Sequence, residues 1–138
     1  MAQRDPDPDN RPVFLELFRI HFPVEAVASF IHRVTGVVLV LAIPAGLALV
    51  MYSAESAAAF RRVGDWLDRP GLVLIQAVIL AAAIHHLLAG VRLLFMDAGL
   101  GVALPEARKT AWGSLAGAGL ALVAALVVLW PGGDGFVP

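Results

Sequence analysis

Gly71-Leu-Val-Leu-Ile-Gln-Ala-Val-Ile-Leu-Ala-Ala-Ala-Ile-His85-His86-Leu-Leu-Ala-Gly90-Val-Arg92-Leu-Leu-Phe-Met-Asp97 is an apolar run too long for an ordinary core helix, and it holds two histidines in its interior. From Gly71 to Val91 there are 21 residues without Asp, Glu, Lys or Arg. At about 1.5 Å per residue this run crosses the ~30 Å hydrocarbon layer, so it reads as a transmembrane helix. The ionisable cluster near its far end costs free energy in lipid unless each group has a partner.

Helical geometry sorts that cluster. At about 100° per residue, Gly90 lies roughly 40° round from His86 and one turn on, and Asp97 roughly 20° round and ~16 Å further along. His86, Gly90 and Asp97 therefore share a face. The missing side chain at Gly90 lets either a flat macrocycle or another helix lie close to the backbone. His85 points about 100° away from His86 and cannot ligate the same iron from the same side. It reads as a packing histidine that donates to a carbonyl or hydroxyl of a neighbouring helix. For His86 the stretch alone leaves open that same packing role or ligation of haem iron.

Composition agrees with a membrane class. Of 138 residues, 59% are hydrophobic and 15% charged, and the mean hydropathy is +0.81. A net charge of −1 and the lack of a basic run with interleaved aromatics exclude a nucleic-acid signature. With no cysteine the chain cannot supply thiolates to an iron–sulfur cluster, so any such centre belongs to another subunit. The acidic, proline-broken amino terminus has neither a secretory signal core nor transit-peptide character, which leads us to expect a bacterial chain inserted by its own first span.

The expected fold is an all-α membrane protein of three transmembrane helices, spanning about 30–52, 71–97 and 110–131, in a domain over residues 24–138. A cytoplasmic or interfacial segment over residues 1–23 precedes it. Residues 1–10 read as disordered, and Arg11 to Pro23 reads as a short amphipathic surface segment. Span one continues as 19 uncharged residues from Val34 to Tyr52. Pro44 in its middle removes a bond to the Val40 carbonyl and is expected to kink it. Ser53 to Pro70 reads as a connector with a short surface helix, its Trp66 suited to the membrane interface. The third span is bracketed by Trp112 and Trp130, and its Gly113 and Gly117 are spaced for close helix packing.

The helix of span one opens at Val24, and in its first turns Ser29, His32 and Arg33 stand at i, i+3 and i+4 and form one polar stripe at the membrane boundary. Taken alone, Arg33 is equally a snorkelling anchor and Ser29 a residue bonding back to its own turn. Six basic residues on one side (Arg4, Arg11, Arg19, Arg33, Arg108, Lys109) against three on the other (Arg61, Arg62, Arg69) put the amino terminus in the cytoplasm and the carboxyl end outside. This brings Ser29, His32 and Arg33 to the same side as Arg92 and Asp97. If His86 binds haem, a second imidazole is needed on the opposite ring face. By the same helical arithmetic His32 lies about 16 Å off in depth, so the second ligand is expected from another membrane subunit. His32 and Arg33 are free instead to pair with haem propionates.

Arg11-Pro12, Phe22-Pro23, Ala28-Ser29, His32-Arg33-Val-Thr35-Gly36 and His86-x-x-x-Gly90-x-Arg92 with Asp97, in this order, closely resemble the cytochrome b556 membrane-anchor family of succinate dehydrogenase. The resemblance implies a helical bundle formed with a second membrane anchor subunit, in a complex with a flavoprotein and an iron–sulfur subunit in the bacterial inner membrane. It implies that His86 is an axial ligand of haem b and that a histidine of the second anchor is the other. By the same likeness Ser29, Arg33 and Asp97 match residues at the ubiquinone site, and His32 and Arg33 match propionate contacts. The chain departs from the family at Leu93, where many members carry histidine. Three other readings compete with this one: a haem-free scaffold that docks a soluble enzyme, a fumarate reductase-type anchor, and a transporter subunit, the last weakened by the apolar third span.

Overall fold

Residues 22–130 are described by a computed structural model, in which four helices follow one another: α1 (Val24–Ala54), α2 (Ala57–Leu67), α3 (Pro70–Asp97) and α4 (Leu104–Leu129). The amino-terminal segment up to residue 21, its expected surface character included, and residues 131–138 lie outside the described residues. α1, α3 and α4 are each long and apolar enough to cross a membrane.

Local chemistry sets the boundaries. Extended Pro23 starts α1, its carbonyl accepting from the amides of Ala26 and Val27 at 3.0 and 3.2 Å. α1 thus begins well before residue 30, and His32 sits two turns inside it. Ser56 caps α2, accepting from the Ala59 amide at 3.0 Å, and Pro70 opens α3 from its first turn. α3 stops in a Schellman motif: Gly99, at φ +81°, donates to the Met96 carbonyl, and Leu100 donates to Phe95, both at 2.9 Å. Gly101, at φ +68°, completes the turn into α4.

α3 is the hub. It packs along α4 over most of its length and against the first half of α1, through a seam of small residues that includes Ala28, Ala77, Ala82, Ala89, Ala107 and Ala111. Lipid tails are as apolar as these side chains, so helices associate by close packing rather than by expulsion of water, and small residues permit it. Of the two glycines in the third span, Gly117 is used: a Cβ there meets Cδ1 of Leu88 at 2.5 Å. Gly113 faces open space.

Polar fasteners mark the two ends. At one, Glu25 of α1 lies 3.6 Å from Arg108 of α4. At the other, amphipathic α2 lies across the mouth of the bundle, with Ala59 and Val63 buried and Arg61, Arg62 and Asp65 exposed. Gln76 of α3 donates to the α2 carbonyl of Leu67 at 2.8 Å, and Trp66 stacks on Tyr52 with ring centroids 6.1 Å apart. The start of α1, the end of α3 and the start of α4 therefore share one end.

His85 joins all three long helices. Its ring is 1% exposed; Nδ1 lies 3.3 Å from the Ser114 carbonyl of α4, and Nε2 lies 3.4 Å from the Ala28 carbonyl of α1. This is the packing role expected from its direction on the helix. A near-isosteric His85→Leu removes both contacts and is expected to destabilise the bundle by about 1–3 kcal/mol, seen as a lower melting temperature of the detergent-purified protein.

Candidate functional site

One residue past His85, the His86 imidazole enters the crossing of α1 and α3. It stacks on the His32 ring with centroids 4.1 Å apart and planes 15° apart. Beneath each ring is a glycine of the opposite helix. A Cβ on Gly36 meets Cε1 of His86 at 3.1 Å, and one on Gly90 meets Nε2 of His32 at 3.5 Å. The glycines stand four residues after the histidines, so His32-x-x-x-Gly36 and His86-x-x-x-Gly90 clasp each other in antiparallel fashion.

This arrangement corrects the expected separation of His32 and His86 by about 16 Å. The expectation placed His32 at the membrane edge; α1 does run from Val24, but its crossing with α3 sets His32 at the level of His86. It also settles what lies over Gly90: the covering group within this chain is the His32 ring.

Hydrogen bonding fixes the state of His86. Its Nδ1 lies 3.1 Å from the main-chain carbonyl of His32 and 3.4 Å from the Thr35 hydroxyl. The hydroxyl itself donates to that carbonyl at 2.9 Å. A carbonyl oxygen only accepts, so Nδ1 carries a proton and a neutral His86 has its lone pair on Nε2. Among the described residues Nε2 of His86 makes no hydrogen bond, and the half-buried ring sits at the edge of the bundle. Nε2 of His32, in contrast, is buried and, among the described residues, without a hydrogen-bond partner.

The remaining sequence candidates divide. Ser29 is half-buried one turn before His32, and its hydroxyl makes no hydrogen bond among the described residues. Arg33 is exposed next to His32. Ala26 and Phe30 share the helix face of Arg33 and, with Phe22 and Val27, line a depression of about 350 Å³. Asp97 is exposed at the end of α3, and no hydrogen bond or ion pair joins it to Ser29 or Arg33. Arg92 points the other way, toward α4: it is 8% exposed, with Nε donating to the Thr110 hydroxyl at 3.0 Å and a terminal nitrogen to the Ala107 carbonyl at 3.2 Å. Sequence reasoning passed over Thr35 and Gly36 as contacts of His86. The repeated His-x-x-x-Gly spacing was the available signal.

A family model described as succinate dehydrogenase/fumarate reductase transmembrane subunit matches residues 7–128. The chain belongs to this family. Among curated family relatives, a protein of Coxiella burnetii named succinate dehydrogenase cytochrome b556 subunit is 36% identical over 121 residues, 87% of this chain and 97% of the relative. One of the same name from Paracoccus denitrificans is 34% identical, covering 88% of this chain and 93% of the relative. A succinate dehydrogenase hydrophobic membrane anchor subunit of Halobacterium salinarum is 33% identical over 69% of this chain and 72% of its own length. Membership agrees with the three apolar helices, and this family member is a multi-pass membrane protein.

In this family member Arg92 acts as a fastener between α3 and α4. Arg92→Leu leaves two acceptors of α4 without their donor and is expected to lower stability by about 2–3 kcal/mol. Arg92→Lys restores only part of this, because an ammonium lacks the fork that reaches both acceptors. Melting temperatures of the purified variants check the order wild type, Lys, Leu.

Proposed function

We propose that this chain is the membrane anchor subunit of a succinate dehydrogenase, that it presents His86 as one axial ligand of haem b, and that it lends Ser29 and Arg33 to a ubiquinone site. The observation that carries the reading is the tautomer of His86. Nδ1 donates to the His32 carbonyl and Nε2 is left with its lone pair at the edge of the bundle, the state and position of an iron-binding imidazole. The relatives named cytochrome b556 subunit support the same assignment.

The donor set fits haem in a second respect. The buried, unpartnered Nε2 of His32 lies beside the bare backbone of Gly90, and an anionic propionate supplies the acceptor it lacks, with exposed Arg33 next in the chain to balance the charge. Haem b, when bound, supplies a one-electron carrier. Within the described residues the only histidines are His32, His85 and His86; His85 is fully enclosed between carbonyls and His32 lies against His86. A histidine of a second membrane anchor subunit would be the other residue to hold the group, as the family resemblance implies, and the flavoprotein and iron–sulfur subunits would supply the electrons.

For ubiquinone, the chain offers an apolar depression on α1 and two polar groups beside it. The Ser29 hydroxyl donates a hydrogen bond to one carbonyl oxygen, and the Arg33 cation stabilises negative charge as it accumulates there. Neither group is a strong acid, so the protons come from water or partner residues. Asp97, exposed at the same end, lies on the route by which they enter. We further propose that the site lies at the cytoplasmic face of the bacterial inner membrane, with the carboxyl end periplasmic, a reading supported by the count of Lys and Arg along the sequence.

In the purified complex, His86→Ala is expected to abolish the reduced b-type absorption bands; bands that survive unchanged reject the ligand assignment. Ser29→Ala and Arg33→Leu are expected to slow succinate:ubiquinone turnover by on the order of tenfold or more, while succinate oxidation by a soluble artificial acceptor persists. Equal loss of both activities contradicts the quinone assignment.

A further inference from the structure

The His86 ring is held on three sides by one turn of α1, through groups that do not themselves bind iron. We infer that Thr35, Gly36 and the main-chain carbonyl of His32 are the positioning set that fixes which nitrogen of His86 faces the iron and how strongly it binds. The inference rests on the proposed ligation by His86 and extends it to residues that no ligand or substrate contact explains.

Each member has a separate physical task. The His32 carbonyl, at 3.1 Å, accepts the Nδ1 proton and so excludes the other tautomer. Thr35 is buried. Its hydroxyl hydrogen goes to that carbonyl at 2.9 Å, which turns the oxygen lone pairs toward Nδ1–H at 3.4 Å. Nδ1–H thus faces two acceptors. Acceptors on this proton push electron density through the ring to Nε2, make it a stronger donor to iron and favour the oxidised metal. Gly36 is the floor. Its missing side chain admits the ring edge, with Cε1 3.1 Å from the place a Cβ takes. The imidazole cannot yield by sliding, since the stacked His32 ring and the Nδ1 bond hold it.

The two side-chain contacts come from Thr35 on the same helix and from His86 on α3, and α1 stays helical through His32. Gly90, by comparison, faces His32 at an ordinary contact distance of 3.5 Å. The two halves of the clasp therefore differ, and only the α1 half grips the ligand.

The test uses the whole purified complex and reads haem directly. Thr35→Val, which keeps shape and removes the hydroxyl, is expected to retain haem but raise its midpoint potential, and Thr35→Ser is expected to restore the wild-type value. Gly36→Ala is expected to lower haem retained per complex by about tenfold, or, where haem remains, to change the low-spin electron paramagnetic resonance signal, whereas Gly113→Ala, at a position that faces open space, leaves both unchanged. Wild-type potential in Thr35→Val together with wild-type haem content and signal in Gly36→Ala overturns the positioning set while leaving His86 as ligand. Should Gly36→Ala fail to assemble, the potential of Thr35→Val decides alone. Retention of haem by His86→Ala overturns the ligation reading instead, so the two failures are distinguishable.

Discussion

Two imidazoles interleaved between α1 and α3, each over a glycine of the opposite helix, fix the depth at which those helices cross. In lipid a polar ring is tolerated only where protein covers or satisfies it. The His32–His86 stack achieves this by burying the two rings against each other and against bare backbone. Once that depth is set, Ser29 and Arg33 take their places beside His32 on α1, and His85 falls between the Ala28 and Ser114 carbonyls. A one-turn slip of α1 along α3, about 5.4 Å, would break every one of these contacts together.

The other polar groups of the membrane domain serve this crossing. Arg92 and Thr110 tie the end of α3 to α4, Gln76 ties its start to α2, and Glu25 and Arg108 draw the ends of α1 and α4 together. α3 is thereby held from both sides and at both ends, while α1 leaves Val37, Val40, Leu41, Leu47 and Val50 exposed to lipid or to a companion subunit. The result is a rigid presentation of His86 on the most enclosed helix and of the Ser29, His32 and Arg33 stripe on the most exposed one.

Much of this was legible from the sequence. The charge-free runs and the prolines at 23 and 70 announced three spans, although the third helix starts at Leu104, earlier than its charge-free run, and the 100° step from His86 to His85 separated a packing histidine from a ligand candidate. The likeness of the paired motifs to an anchor family agreed with the family match over residues 7–128. The depth of His32 was not legible, because charged Arg33 and Glu25 suggested the membrane edge even though the helix start at Val24 was itself legible. Helix starts are set by caps and by satisfied backbone groups, not by where hydrophobicity begins. The direction of Arg92 was equally hidden, since only tertiary packing decides between the two neighbours a helical side chain can reach. Thr35 and Gly36 escaped because a hydroxyl and a glycine in a helix have no distinctive chemistry until an imidazole from elsewhere arrives beside them.

The proposed function comes down to one bond geometry: iron held through Nε2 of His86 while Nδ1 remains on the His32 carbonyl. A cryo-electron microscopy map of the intact complex, at a resolution that orients imidazole rings, tests it most directly. The expected map shows a haem whose iron is within coordination distance of Nε2 of His86, on the opposite side from a histidine of a companion subunit, with the His32 carbonyl still in contact with Nδ1. Iron reached through Nδ1, or held by two ligands neither of which is His86, would contradict it.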